Sequence, residues 1–209
     1  MRLVSLYNPP MPQPKEVYII GGPNGAGKTT FVEKYLPNYL DVKNFINADM
    51  IARGLSPFDY NAQAIKAGKL MLSLIEEYSN KGISFGFETT LAGKKWLDVF
   101  QDLKVKGYQV IVFFLYLDTV ELAVQRVSTR VKLGGHDIPE DTIKRRFLRS
   151  RLNFWNDYRV SADAWYLLNT SNDKNSGPVL VAHMQNKKEV ILNKKYLDEF
   201  TKSIEEEPA

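Results

Sequence analysis

Residues 22 to 29 read Gly22-Pro23-Asn24-Gly25-Ala26-Gly27-Lys28-Thr29, directly after the apolar run Val17–Ile20. This G-x-x-x-x-G-K-[ST] string is the phosphate-binding loop of nucleotide-binding proteins, and it constrains the fold because it needs a strand before it and a helix after it. Its glycines let successive backbone N–H groups curl around phosphate oxygens, a lysine reaches the β- and γ-phosphates, and the hydroxyl can hold Mg²⁺. Lys28 and Thr29 take those last two roles, and Gly22, Pro23, Asn24, Gly25, Ala26, Gly27 and Thr30 complete the expected nucleotide site. At ordinary residue frequencies the four fixed positions match by chance in about one chain of this length in 150. The amphipathic stretch Phe31–Leu36 supplies the helix.

Strand and helix signals alternate through the rest of the chain. Strands are expected at 17–20, 44–46, 83–87, 110–117 and 164–168. Ala64, Gly68, Met71, Ile75 and Tyr78 recur at helical steps, as do Trp96, Phe100 and Leu103. The run from Val110 to Leu117 has no polar alternation, as expected of a central strand covered on both faces. An α/β domain follows: three layers, α/β/α, around a mostly parallel five-stranded sheet of the P-loop NTPase kind. Segments 179–182 and 189–192 flank Asn186-Lys187-Lys188 and read as a C-terminal β-hairpin before a helix near 194–200. The expected organisation is a Pro-rich arm over residues 1–15 and a single domain over 16–209.

Composition narrows the chemistry. The chain has 209 residues and no cysteine, which excludes disulfides and thiolate catalysis, and its two histidines, His136 and His183, cannot build a histidine-rich zinc centre. No apolar run approaches the roughly 18 residues of a membrane span, and the Pro-rich start lacks the apolar centre of a signal peptide. A cytoplasmic protein is expected, with no membrane contact. Net charge is only +4, but residues 126–159 hold nine Arg or Lys against four acids. That local excess suits phosphate or nucleic acid, and its plain alternative is a solvated helix face.

Ligands of such sheets sit beyond the carboxyl ends of the strands. There the sequence places Asn47-Ala48-Asp49, Glu88-Thr89-Thr90 and Asp118. Asp49 is the candidate general base, with a helix N-cap as the equal alternative. Glu88 closes a buried apolar strand, a costly place for a carboxylate unless ligand, metal or cation meets it. Acceptor binding, with Thr89 and Thr90, is its expected work, and a metal-linked role comes second. Asp118 imitates a magnesium-holding aspartate, but Asp118-Thr119-Val120-Glu121 has capping-box spacing. Arg126 and Arg130 share a helix face and are candidates for charge stabilisation at the γ-phosphate. The Gly134-Gly135 stretch before a helix carrying Arg145, Arg146 and Arg149 reads as a mobile lid over about 132–140, with His136 as a substrate contact. Lys132, Lys144 and Arg151 are expected on solvated faces.

Taken together, Gly22–Thr30, Asn47-Ala48-Asp49, Phe87-Glu88-Thr89-Thr90-Leu91 and Gly134–Glu140 with Arg145-Arg146 resemble the zeta-toxin family of P-loop kinases, over about residues 16–170. More narrowly, the chain is similar to compact zeta-toxin-like or UDP-N-acetylglucosamine kinase-like members. The resemblance implies ATP- and Mg²⁺-dependent phosphorylation of a hydroxyl, in the studied toxins the 3′-hydroxyl of the sugar in UDP-N-acetylglucosamine. It implies Asp49 as base, Lys28 and Thr29 as phosphate and metal contacts, Glu88 as an acceptor-site carboxylate, and Arg126 or Arg130 as a phosphate contact. The lid arginine of larger toxins is replaced here by His136, with Arg145 and Arg146 as substitutes. The extra helices with which some toxins bind an antitoxin are missing, so a neutralising partner stays open. Two other readings compete: a nucleoside or polynucleotide-end kinase, and a non-catalytic nucleotide-dependent switch.

Overall fold

The computed structural model describes residues 14–39, 42–59, 62–135, 137–172 and 177–205. In chain order the elements are β1 (Lys15–Gly21), α1 (Lys28–Lys34), α2 (Leu36–Tyr39), β2 (Phe45–Ile46), α3 (Ala48–Leu55), α4 (Ala64–Lys81), β3 (Phe85–Thr89), α5 (Trp96–Val105) and β4 (Tyr108–Tyr116). They continue with α6 (Val120–Lys132), α7 (Glu140–Asn153), a π-helical turn (Phe154–Tyr158), α8 (Arg159–Ser161), β5 (Ala164–Asn169), β6 (Val179–Gln185), β7 (Lys188–Ile191) and α9 (Lys194–Glu205).

One sheet runs β2-β3-β1-β4-β5-β6-β7. The first five strands are parallel, and β6 and β7 are antiparallel additions. The five expected strands are all present, but the sheet has seven. The expected terminal hairpin pairs with the edge strand, with Trp165 opposite Met184, instead of standing apart. Pairing satisfies the backbone groups that β5 would otherwise leave open.

β4 shows why the sheet is covered on both sides. Val110, Val112, Phe114 and Tyr116 enter one apolar cluster, while Phe113, Leu115 and Leu117 enter or border the other, as the two-residue period of a strand dictates. The first cluster is closed by Met71 and Ile75 of α4, Phe100 of α5 and Phe200 of α9. Phe31 of α1, Val127 of α6 and Ile143 and Phe147 of α7 close the second. The π-helical turn swings Phe154 onto Phe114, with ring centroids 4.2 Å apart and 7° between planes.

Arg151 departs from expectation. It is buried rather than solvated, its guanidinium lies among the rings of Tyr116, Phe147 and Phe200, and it donates to Leu117 O at 3.0 Å and to Ser203 Oγ. Aromatic faces and a carbonyl provide the counter-dipoles that let a cation sit there. Lys132 and Lys144 are not buried, in line with expectation, and Lys144 pairs with Glu140. The Pro-rich arm, apart from its last two residues, lies outside the described residues, and so does His136. Of the segment expected to be a lid, Ile138 is buried in the second cluster between α6 and α7.

Candidate active site

The phosphate loop is held against the sheet at a distance only glycine permits. Gly22 has φ 141, and a Cβ there would stand 2.1 Å from Leu115 O of β4. Any side chain would push the loop off the strand end. Lys28 opens α1 and is 7 % exposed. Its Nζ donates to Pro23 O of its own loop at 2.9 Å and lies 3.8 Å from Glu88 Oε1.

Glu88 reaches this position because β3 pairs directly with β1, placing Ile20 beside Glu88. Its Oε2 accepts from Thr29 Oγ1 at 3.0 Å and from Asn47 Nδ2 at 2.9 Å. One carboxylate therefore gathers the loop lysine, the loop threonine and the cap of α3. Burial raises the Glu88 pKa, opposed chiefly by Lys28, and burial lowers that of Lys28, opposed chiefly by Glu88. The sign for stability follows: with its folded pKa raised, Glu88 binds a proton more tightly in the folded protein, so stability falls as pH rises from the ordinary 4.5 through the folded value. Glu88→Gln removes this titration. Its Tm, measured against pH, is expected to gain on the wild type as pH rises above 4.5; parallel curves would show that the burial is not felt.

Asn47, not Asp49, fills the capping role. Its Oδ1 caps α3, accepting from Asp49 N at 2.8 Å and Met50 N at 3.1 Å. The Asp49 carboxylate is thereby relieved of capping and stands on a cavity of about 440 Å³ that Lys28, Asn24 and Glu88 also line. Asp49 is close enough to Lys28, Glu88 and Arg146 to bias the protonation of each.

α7 adds Arg145, Arg146 and Arg149 to the cavity lining. Arg146 Nη1 approaches Asn24 Oδ1 of the phosphate loop at 3.5 Å, the limit of a hydrogen bond. Arg130 of α6 acts electrostatically on both Lys28 and Glu88. Arg126, one turn earlier, is engaged elsewhere: its Nη2 donates to Ser171 O and Asn172 O, both at 3.2 Å; neither Arg126 nor Arg130 is among the cavity residues. Sharing a helix face was not enough, because the carbonyls after β5 hold the Arg126 guanidinium. Asp118 is held by Asn169 Nδ2 at 2.6 Å, and Thr119 rather than Asp118 caps α6.

Thr89 and Thr90 line the cavity, set there by a turn in which Leu91 adopts φ 54. Such backbone persists only where surroundings over-determine it. Asn153 Nδ2 donates to Leu91 O at 3.0 Å and Tyr158 OH donates to Gly93 O. Thr30 is exposed beside Thr29 on α1. Arg149, read from the sequence as part of the lid helix, lines the cavity, and so do Asn47, Lys95 and Trp96, which were not read as site residues. An Asn two residues before Asp49 is a cap signal that could have been read.

Thr29 Oγ1 beside a carboxylate is a hard-oxygen pair, the donor chemistry Mg²⁺ takes. Among the described residues no cluster of three or more His, Asp or Glu could hold a metal by itself.

The profile of the Zeta toxin family matches residues 4–159. The chain belongs to the zeta toxin family. This zeta toxin family member is 32% identical over 126 residues to an uncharacterised protein of Haemophilus influenzae, covering 60% of this chain and 88% of that one. Its fold is similar to that of the AvrRxo1-ORF1:-ORF2 complex solved with ATP, with TM-score 0.72, 17% identity and 90% of this chain covered. The chain spans 63% of the length of that relative. It is also similar to a structure from the PezAT toxin-antitoxin system of Streptococcus pneumoniae, with TM-score 0.60, 16% identity, 93% of this chain and 89% of that one. Its fold is that of the P-loop kinases, with the phosphate-binding loop following β1. Among the described residues no helix is long and apolar enough to cross a membrane.

Proposed function

We propose that this protein transfers the γ-phosphoryl group of ATP to a hydroxyl of a sugar nucleotide, with UDP-N-acetylglucosamine as the first candidate acceptor. The observation that carries the reading is Asp49: a carboxylate released from capping by Asn47 and sharing a cavity with the phosphate-loop lysine. Asp49 accepts the proton as the acceptor oxygen bonds to the γ-phosphorus and the bridging β–γ bond breaks, releasing ADP. Lys28, Arg130 and Arg146 offset the charge that spreads over the phosphoryl oxygens. Mg²⁺, held through Thr29, with Glu88 beside it, would supply further neutralisation of the phosphates. On this reading ATP competes with Glu88 for Lys28 and Thr29.

The acceptor class rests on the cavity walls. Arg145, Arg149 and Lys95 offer cations to a phosphate-bearing acceptor, and Met71, Leu72 and Trp96 offer apolar surface to its ring. The polynucleotide alternative is weakened because the basic segment is not one surface. Arg126 holds carbonyls, Arg151 is buried, and Arg159 lies over the Trp155 ring. An antitoxin-like partner stays a secondary proposal, supported by the named partners of the two solved relatives.

The test is to incubate the protein with ATP, Mg²⁺ and a panel of sugar nucleotides and nucleosides and follow products by mass. A gain of one phosphoryl group on UDP-N-acetylglucosamine or another sugar nucleotide is expected. ATP binding with no such gain on any acceptor overturns the proposal.

A further inference from the structure

Gly68 lies inside the 18-residue helix α4, where a glycine is less favourable than alanine by about 1 kcal/mol. Glycine in such a position usually serves close packing. Here it does not: a Cβ built on Gly68 meets no heavy atom within 4 Å, yet the residue lines the cavity that holds Asp49 and Lys28. The helix therefore turns a bare patch of backbone toward open cavity volume. Leu72, at i+4 on the same face, also lines the cavity and is 41% exposed. The cations Arg145 and Arg149 of α7 line the same cavity. A site that joins a side-chain-free strip beside the apolar Met71 and Leu72 to guanidinium groups from a second helix matches a ligand that is flat and apolar at one end and anionic at the other.

We infer that Gly68 is a specificity-determining position: the base of the acceptor nucleotide lies on the bare Gly68 strip of α4, and its phosphates face Arg145 and Arg149. The inference rests on the sugar-nucleotide reading above and goes beyond it in assigning the acceptor's orientation and the residue that sets its size limit. A larger side chain at 68 fills the space of the base while leaving the phosphate loop untouched.

Three variants test it. Gly68→Ala is expected to raise Tm by about 2 °C, since helix propensity improves and nothing is struck. A fall in Tm would mean that the glycine serves packing and would overturn the inference. Gly68→Phe is expected to raise the KM for UDP-N-acetylglucosamine at least about tenfold with the Kd for ATP within about twofold; an unchanged acceptor KM overturns the inference. The chain has no cysteine, so Gly68→Cys carries a unique thiol. UDP-N-acetylglucosamine or UMP is expected to slow its labelling by N-ethylmaleimide at least about fivefold, with ATP and Mg²⁺ alone leaving the rate within about twofold. Phosphorylation of the acceptor without protection of the introduced thiol overturns the inference and leaves the kinase reading standing. Protection without phosphorylation by the wild type supports the inference and removes the kinase reading. Neither protection nor phosphorylation removes both.

Discussion

Lys28→Ala is expected to weaken ATP binding by about 100-fold or more, the largest single effect on nucleotide affinity in this protein. The ammonium is buried, and in the structure it is supported by one carbonyl and one carboxylate. Charge-assisted hydrogen bonds to phosphate contribute roughly 1.5–3 kcal/mol each, and two lost together correspond to about two to four orders of magnitude in Kd. The substitution also strips Glu88 of its cation, and the carboxyl's pKa, already raised by burial, rises further. Stability without nucleotide should therefore fall as pH rises above the ordinary carboxylate range, more steeply than in the wild type. Calorimetric titration with ATP and Mg²⁺ measures the first effect, and melting against pH measures the second. Affinity within about threefold of the wild type would show that Lys28 does not seat the phosphates.

Asp49→Asn is expected to lower kcat by about 10²–10⁴, the usual contribution of a general base, with ATP affinity little changed. Geometry makes the substitution clean. Asn47 keeps its hydrogen bonds to the backbone N–H groups of residues 49 and 50, so α3 keeps its cap, and the side chain changed is not buried. Tm should stay within about 2 °C, because surface substitutions away from such features rarely exceed about half a kcal/mol. Steady-state kinetics with the acceptor found in the mass assay measure the drop. A variant within about fivefold of wild-type kcat would remove Asp49 from the base role.

How far the sequence reached depends on how local each feature is. The phosphate loop was legible in full because its function needs fixed spacing along eight consecutive residues. The parallel sheet was legible from apolar runs such as Val110–Leu117, whose dense burial the two core clusters confirm. Asp49 was ambiguous for a local reason: carboxylates and caps are both favoured at a helix start, and only the structure shows Asn47 taking the cap. The Glu88 to Thr29 bond joins residues 59 apart, which no window along the chain reveals. Arg126 and Arg130 look equivalent by spacing, yet one is drawn to the carbonyls after β5. Gly68 was hidden in an apolar helical repeat that fitted a core face, and Arg151 was hidden because three rings from separate segments make its site.

The central claim is that Asp49 and the phosphate seated by Lys28 flank one acceptor hydroxyl. The most direct measurement is a crystal structure with a non-hydrolysable ATP analogue, Mg²⁺ and the sugar nucleotide bound together. The account predicts an acceptor hydroxyl about 2.6–3.2 Å from an Asp49 carboxylate oxygen and in line with the γ-phosphorus, with Lys28 transferred from Pro23 O to the phosphates. A hydroxyl directed at the γ-phosphorus with Asp49 beyond hydrogen-bonding reach, or an acceptor bound outside this cavity, would contradict it.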